Sequence, residues 1–225
     1  MKNKTVLLCN ILLIAANCVV NYFYQSNNYN FTLKCIGSAL FVAIGVVNYI
    51  YATKTLGITD KFYKGMLTAL VFCFLGDAFI HTSFVAGAGL FAIGHMCLVY
   101  IYCLVQKLTK KDVLISSVPF VATVLFLLFF PLLRFDVPVF RYVCIAYAAI
   151  ISLMLGKAIG NYTKDKSTLN LILAIAGALF YFSDVMLVFS WFIGLWRWTF
   201  PACMGTYYPA LCLLAYSMYH KTTSN

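Results

Sequence analysis

Apolar runs long enough to cross a bilayer follow one another along almost the whole chain, separated only by short clusters of charged or turn residues. With so little polar chain, a bundle of membrane-spanning helices is the architecture that satisfies the backbone. Hydrophobic residues make up 64% of the 225 positions and charged residues only 10%, where a soluble domain carries about a quarter. The runs predict eight spans, at residues 5–24, 31–53, 62–83, 84–106, 112–133, 138–160, 168–190 and 199–220. An all-α polytopic bundle is therefore expected, forming a single integral membrane domain over residues 1–225.

The cations orient it. With the N-terminus in the cytoplasm, the cytoplasmic segments hold twelve of them, Lys2, Lys4, Lys54, Lys61, Lys64, Lys107, Lys110, Lys111, Lys157, Lys164, Lys166 and Lys221. The opposite face keeps four, Lys34, Arg134, Arg141 and Arg197, so the positive-inside rule predicts that both termini are cytoplasmic. The net charge of +10 is thus a signature of orientation; scattered over short loops, it makes no face for nucleic acid. The first span opens with Lys2 and Lys4 but lacks a small-residue cleavage site and carries Asn10, Asn17 and Asn21, so it reads as a retained helix. The nine cysteines lie within spans and form no CxxC pair, which fits small buried hydrophobes better than disulfides or a zinc site. A short, basic chain with no organellar signal is expected in a bacterial cell membrane.

Only six carboxylates are present, all aspartates, and two of them, Asp77 and Asp184, sit deep inside apolar runs. An acid there costs ~2.5–3.5 kcal/mol on insertion scales, so it usually lines a polar cavity and works in it. The frames match: Phe74-Leu75-Gly76-Asp77 with Ile80 against Tyr181-Phe182-Ser183-Asp184 with Leu187. Each acid falls on the third helix of a set of four, which raises the idea of a parallel duplication. Both acids are expected ~9 Å below the non-cytoplasmic helix ends. His81 follows Asp77 by four residues and is expected on its helix face. His95 on the next span, Lys34 at the outer end of the second, Tyr147 in the sixth and Tyr207-Tyr208 in the eighth complete a pocket suited to an amphiphile. Gly76, Gly87, Gly89 and Gly94 are expected to let helices approach closely, and Asn48 and Asn161 to pack them.

Three functional classes fit such residues: an acid–base hydrolase, a metal hydrolase using Asp77, His81, His95 and Asp184, and a proton-coupled transporter. No dense ligand motif such as HExxH is present, so no metal is expected.

Gly76-Asp77 with Ile80, then Phe84, Gly87, Phe91 and Gly94-His95, resembles the signature of the YhhN-like membrane proteins, the lysoplasmalogenase family. Lys34 and Tyr147 resemble that family's lysine in the second span and tyrosine in the sixth. Gly177-Ala178-Leu179-Phe180 followed by Ser183-Asp184 and Leu187 is similar to its second acidic motif, and Thr206-Tyr207-Tyr208 to its closing one. The likeness runs from Lys34 to Ser217; Leu98 and Leu211 stand where the family often has Tyr and Gln.

The resemblance implies a membrane hydrolase that needs no cofactor and opens the vinyl ether bond of a lysophospholipid, a lysoplasmalogen, to a fatty aldehyde and a glycerophospho-base. Protonation of the β-carbon makes an oxocarbenium-like centre that water attacks, so one acid and one counter-charge are required. Two carboxylates sharing a proton divide these roles, with Asp184 favoured as acid and Asp77, beside His81, as the water-activating or cation-stabilising partner. His95 then orients one of them or relays protons. Lys34 and a tyrosine hold the phosphate.

Overall fold

The computed structural model describes residues 3–27, 29–194 and 196–223. Helix covers 87% of the chain, in eight α-helices with no strand among the described residues. They are α1 (Asn3–Ser26), α2 (Phe31–Ile50), α3 (Lys61–Phe79), α4 (Phe84–Val105), α5 (Lys110–Phe129), α6 (Pro138–Lys164), α7 (Thr168–Phe192) and α8 (Trp196–Thr223). A π-helical stretch, Tyr51–Thr55, prolongs α2.

Local chemistry sets the helix starts. Asn30, Asp60, Ser83 and Ser167 cap α2, α3, α4 and α7 by accepting from backbone N–H groups of the first turn. Pro138, which has no N–H to waste, opens α6. Pro131 ends α5 early by holding Phe130 in an extended conformation, so the helix stops at Phe129 and not at residue 133.

Seven helices, α1 to α7, are long and apolar enough to cross a membrane. The last, α8, has 28 residues but falls short on hydropathy because Pro201, Pro209 and several tyrosines interrupt it. Its place explains the composition. No residue from 206 to 220 is exposed, and only one stripe, Thr206, Pro209, Leu213, Tyr216 and His220, is partly buried, so protein covers most of this stretch and little of it needs a lipid-compatible surface. It packs on α1, α2, α3 and α7.

Polar side chains join the helices. Asn10 of α1 and Asn48 of α2 exchange amide hydrogen bonds of 2.8 Å, and Asn48 also donates to the Ala215 carbonyl of α8. Asn17 and Asn21 donate to the carbonyls of Gly37 and Met204, and Asn161 to that of Tyr102. A Cβ at Gly76 would stand 2.8 Å from the Phe91 ring, and one at Gly87 2.5 Å from the Ile80 Cα, so both residues permit the close α3–α4 contact. Gly89 departs from that expectation, since its Cβ position opens onto free space.

Lys157 is not a loop cation. It lies inside α6 with no exposed surface, 3.3 Å from Asp112 at the start of α5. Lys164 closes on the same carboxylate at 2.6 Å, and Asn161 accepts from Lys157. The charge is thus consumed in holding α5 to α6.

Candidate intramembrane acid site

Asp77 and Asp184 each sit at the centre of a separate hydrogen-bond network. On the α2–α3–α8 side, Asp77 is 2% exposed and has three donors. Lys34 lies 3.2 Å from Oδ1, while Ser38 and Tyr207 each donate to Oδ2 at 2.6 Å. Lys34 and Ser38 are four residues apart on α2 and so share one face. Ser38 carried no sequence signal of its own; its spacing from Lys34 was the available clue. A cation and two hydroxyls are thus directed at the Asp77 carboxyl group.

On the α4–α6–α7 side, Tyr147 donates to Oδ2 of Asp184 at 2.6 Å, and Nε2 of His95 lies 2.8 Å from the same hydroxyl. His95 itself is 3.6 Å from Asp184, beyond hydrogen-bond reach, so its link to the acid passes through Tyr147. Phe180 stacks edge-on to His95 at 4.4 Å and to Tyr207 at 5.4 Å, and thereby forms a wall between the two networks.

The expected depths change. The α3 helix ends two residues after Asp77, whereas α7 continues for eight residues after Asp184, so at 1.5 Å per residue the acids lie ~3 and ~12 Å from their helix ends. His81 consequently does not share a helix face with Asp77. The backbone turns at Phe79, whose carbonyl accepts from the N–H groups of Thr82 and Ser83, and Ser83 then caps α4. His81 projects from this turn, its ring edge-on to Phe31, and still lines the pocket around Asp77 and Lys34. Partial burial, then the nearby Lys34 ammonium, draws its pKa below the ordinary imidazole value, which favours the neutral ring.

Two cavities meet at Asp184. One is an apolar chamber of about 340 Å³ between α4, α5, α6 and α7, walled by residues such as Phe84, Ala88, Leu127, Ala148, Ile151 and Val188. Tyr147 and Asp184 are among its few polar linings. The other is a pocket of about 30 Å³ whose wall mixes Lys34, Asp77, His81, Cys203, Tyr207 and Asp184 with Ile80, Phe91, Leu187, Trp191, Phe200 and Met204. That is room for about one water molecule and too little for a phosphate. The exposure of the two acids follows: the Asp184 side chain is 17% exposed and the Asp77 side chain 3%.

The residues expected to hold a headgroup are engaged with the protein. Lys34 and Tyr207 serve Asp77, Tyr147 serves Asp184, and Tyr208 donates to the Lys34 carbonyl at 3.2 Å while lining neither cavity. The four-ligand metal set is not assembled: among the described residues no three His, Cys, Asp or Glu side chains converge to hold an ion.

Seven long apolar helices, with Asp77 buried and Asp184 partly buried among the bundle, define a multi-pass membrane protein. Within that class the family is specific. The model of the YhhN family matches residues 29–218, which include every site residue above, and the chain belongs to that family. No curated protein and no solved structure matches it.

Proposed function

We propose that the protein is a lysoplasmalogenase-type ether hydrolase, cleaving the vinyl ether bond of a lysoplasmalogen to a fatty aldehyde and a glycerophospho-base. What supports this reading is the position of Asp184, where a chamber fit for one long hydrocarbon chain meets a pocket fit for water. A vinyl ether links an alkenyl tail directly to glycerol oxygen, so the scissile bond of such a lipid lies at that same kind of boundary.

In this mechanism Asp184 donates its proton to the β-carbon of the vinyl ether, and the double-bond electrons form the new C–H bond. The α-carbon becomes an oxocarbenium centre. Asp77, oriented by Lys34, Ser38 and Tyr207, acts as the carboxylate that stabilises that charge and takes a proton from the attacking water. The hemiacetal then collapses: its hydroxyl returns a proton to Asp184, Asp77 passes the proton it took from water to the glycerol oxygen, and aldehyde and alcohol separate with both carboxyl groups restored. The headgroup rests at the rim near His81, outside the small pocket. Following the distribution of lysines, that rim faces away from the cytoplasm, in the cell membrane of a bacterium.

The test is mass spectrometric product analysis of the purified protein with a lysoplasmenyl-ethanolamine. Fatty aldehyde is expected from the wild type, and Asp77→Asn and Asp184→Asn should each lower turnover at least ~10²-fold, the lower end of general acid–base contributions. Near-normal turnover of either folded variant overturns the mechanism. No aldehyde from the wild type, together with solute uptake by proteoliposomes, replaces it with a carrier.

A further inference from the structure

The direction of the hydrogen bonds around Asp184 assigns jobs to two residues. Tyr147 has one hydroxyl hydrogen, and it is directed at Oδ2 of Asp184, 2.6 Å away. Its oxygen is therefore left to accept, and the donor 2.8 Å from it is Nε2 of His95. With the Asp184 proton on Oδ1, this direction places the imidazole proton on Nε2. Nδ1 agrees with this, since it is buried and finds no hydrogen-bond partner among the described residues. A bare lone pair tolerates that situation better than an orphaned N–H does. The other carboxyl oxygen, Oδ1, has among the described residues one hydrogen-bond donor, Ser183 at 3.5 Å, whose hydroxyl is also engaged at 2.8 Å with the Phe180 carbonyl.

We propose that His95 and Tyr147 are positioning residues, a one-way chain of donors ending on Oδ2 of Asp184 that reserves Oδ1 as the seat of the reactive proton. The proposal rests on the hydrolase reading for its consequence and, of the two roles expected for His95, takes orientation of an acid over proton relay. A relay would take a proton from Nε2 and need another on Nδ1, a buried nitrogen with nothing to receive its hydrogen. In the chain proposed here neither His95 nor Tyr147 changes protonation during turnover. Tyr147 sets the carboxyl rotamer, His95 sets Tyr147, and Phe180, edge-on at 4.4 Å, holds the imidazole plane. The proton leaves Oδ1 for the β-carbon, and the net balance of the reaction involves only substrate, water and the two carboxyl groups.

The experiment pairs a spectroscopic readout with kinetics. Nitrogen-15 NMR of histidine-labelled wild-type protein in detergent tells a protonated ring nitrogen from a bare one. Only three histidines are present, and the His95 signals are those lost in His95→Gln. At neutral pH His95 is expected to carry one proton, on Nε2. In the kinetic arm Tyr147→Phe should lower kcat about 10- to 100-fold, the range for a lost hydrogen bond to such a group, with little change in KM. His95→Gln, whose side-chain amide still supplies a donor, should retain several times the kcat of His95→Leu. A proton on Nδ1, or on both nitrogens, overturns the proposal. So does a His95→Gln variant as slow as His95→Leu, or a Tyr147→Phe variant with wild-type kcat. Should the wild type release no aldehyde, the hydrolase reading fails by itself, and the nitrogen shifts still decide the hydrogen-bond chain.

Discussion

Lys34 and Asp77 are a pair of opposite charges with side chains 6% and 3% exposed, placed near the end of a transmembrane bundle. Burying two ions is rarely a gain over apolar residues of the same shape, but removing one partner strands the other. Lys34→Met should therefore cost about 3–5 kcal/mol, as for other broken buried pairs. Lys34→Met combined with Asp77→Asn should recover most of that loss. Thermal unfolding of the single and double variants in one detergent completes the cycle, and an additive double variant argues against the pair. The engagement of Lys34 with Asp77, of Tyr207 and Tyr147 with the two acids, and of Tyr208 with the Lys34 carbonyl also explains why no headgroup-binding set stands free. Residue type announced polar groups in an apolar chain; only the partners reveal that they serve the acids.

The most specialised element is α5, which packs chiefly on α6 and carries the outer wall of the chamber through Thr123, Phe126 and Leu127. Two glycines on α6 permit that contact. A Cβ at Gly156 would stand 2.1 Å from the Ser116 hydroxyl and 2.5 Å from its backbone nitrogen, and one at Gly160 would stand 2.1 Å from Oδ1 of Asp112. Gly156→Val should thus push α5 outward, at about 1–3 kcal/mol for overpacking. The check is maleimide labelling of Cys144, a buried lining residue of the chamber, which should speed up in the variant. Unchanged labelling would mean that α5 does not govern access. On the far side α7 steadies α5, since Tyr181 meets Thr123 and donates to the Pro119 carbonyl at 3.0 Å.

Across the whole molecule the two sets of four helices follow one contact plan. Successive helices pack within each set, and α4 meets α6 as α8 meets α2. The plan breaks at one place. Whereas α8 also packs on α1 and α3, its counterpart α4 reaches across its own set mainly to α6, and the apolar chamber occupies the space shared with α5 and α7. The difference between the halves is thus an apolar chamber with Asp184 on its wall, whereas Asp77, in the more tightly filled half, lines only the small pocket. Ala148 projects onto the chamber with 3% exposure. Ala148→Phe should fill part of it and reduce kcat/KM for long alkenyl chains several-fold more than for short ones. Equal losses at every chain length, measured over a series of lysoplasmalogens, would place the tail elsewhere.

Hydropathy and positive charge were enough to reveal eight helices and a membrane class, because the bilayer imposes span length and backbone satisfaction on any sequence that crosses it. The rarity of acids inside apolar runs likewise marked Asp77 and Asp184. Motif likeness led to the YhhN family, and the match over residues 29–218 bears that out. Tertiary packing decided the rest. That α8 is largely covered by protein, that Lys157 is buried against Asp112, that α3 ends before His81, and that Tyr147 stands between His95 and Asp184 depend on which helices meet and at what height. A hydrophobic pattern says that a helix is buried; it carries almost no information on which partner buries it, since in lipid every apolar face is equally acceptable and a few polar or small residues choose the neighbour.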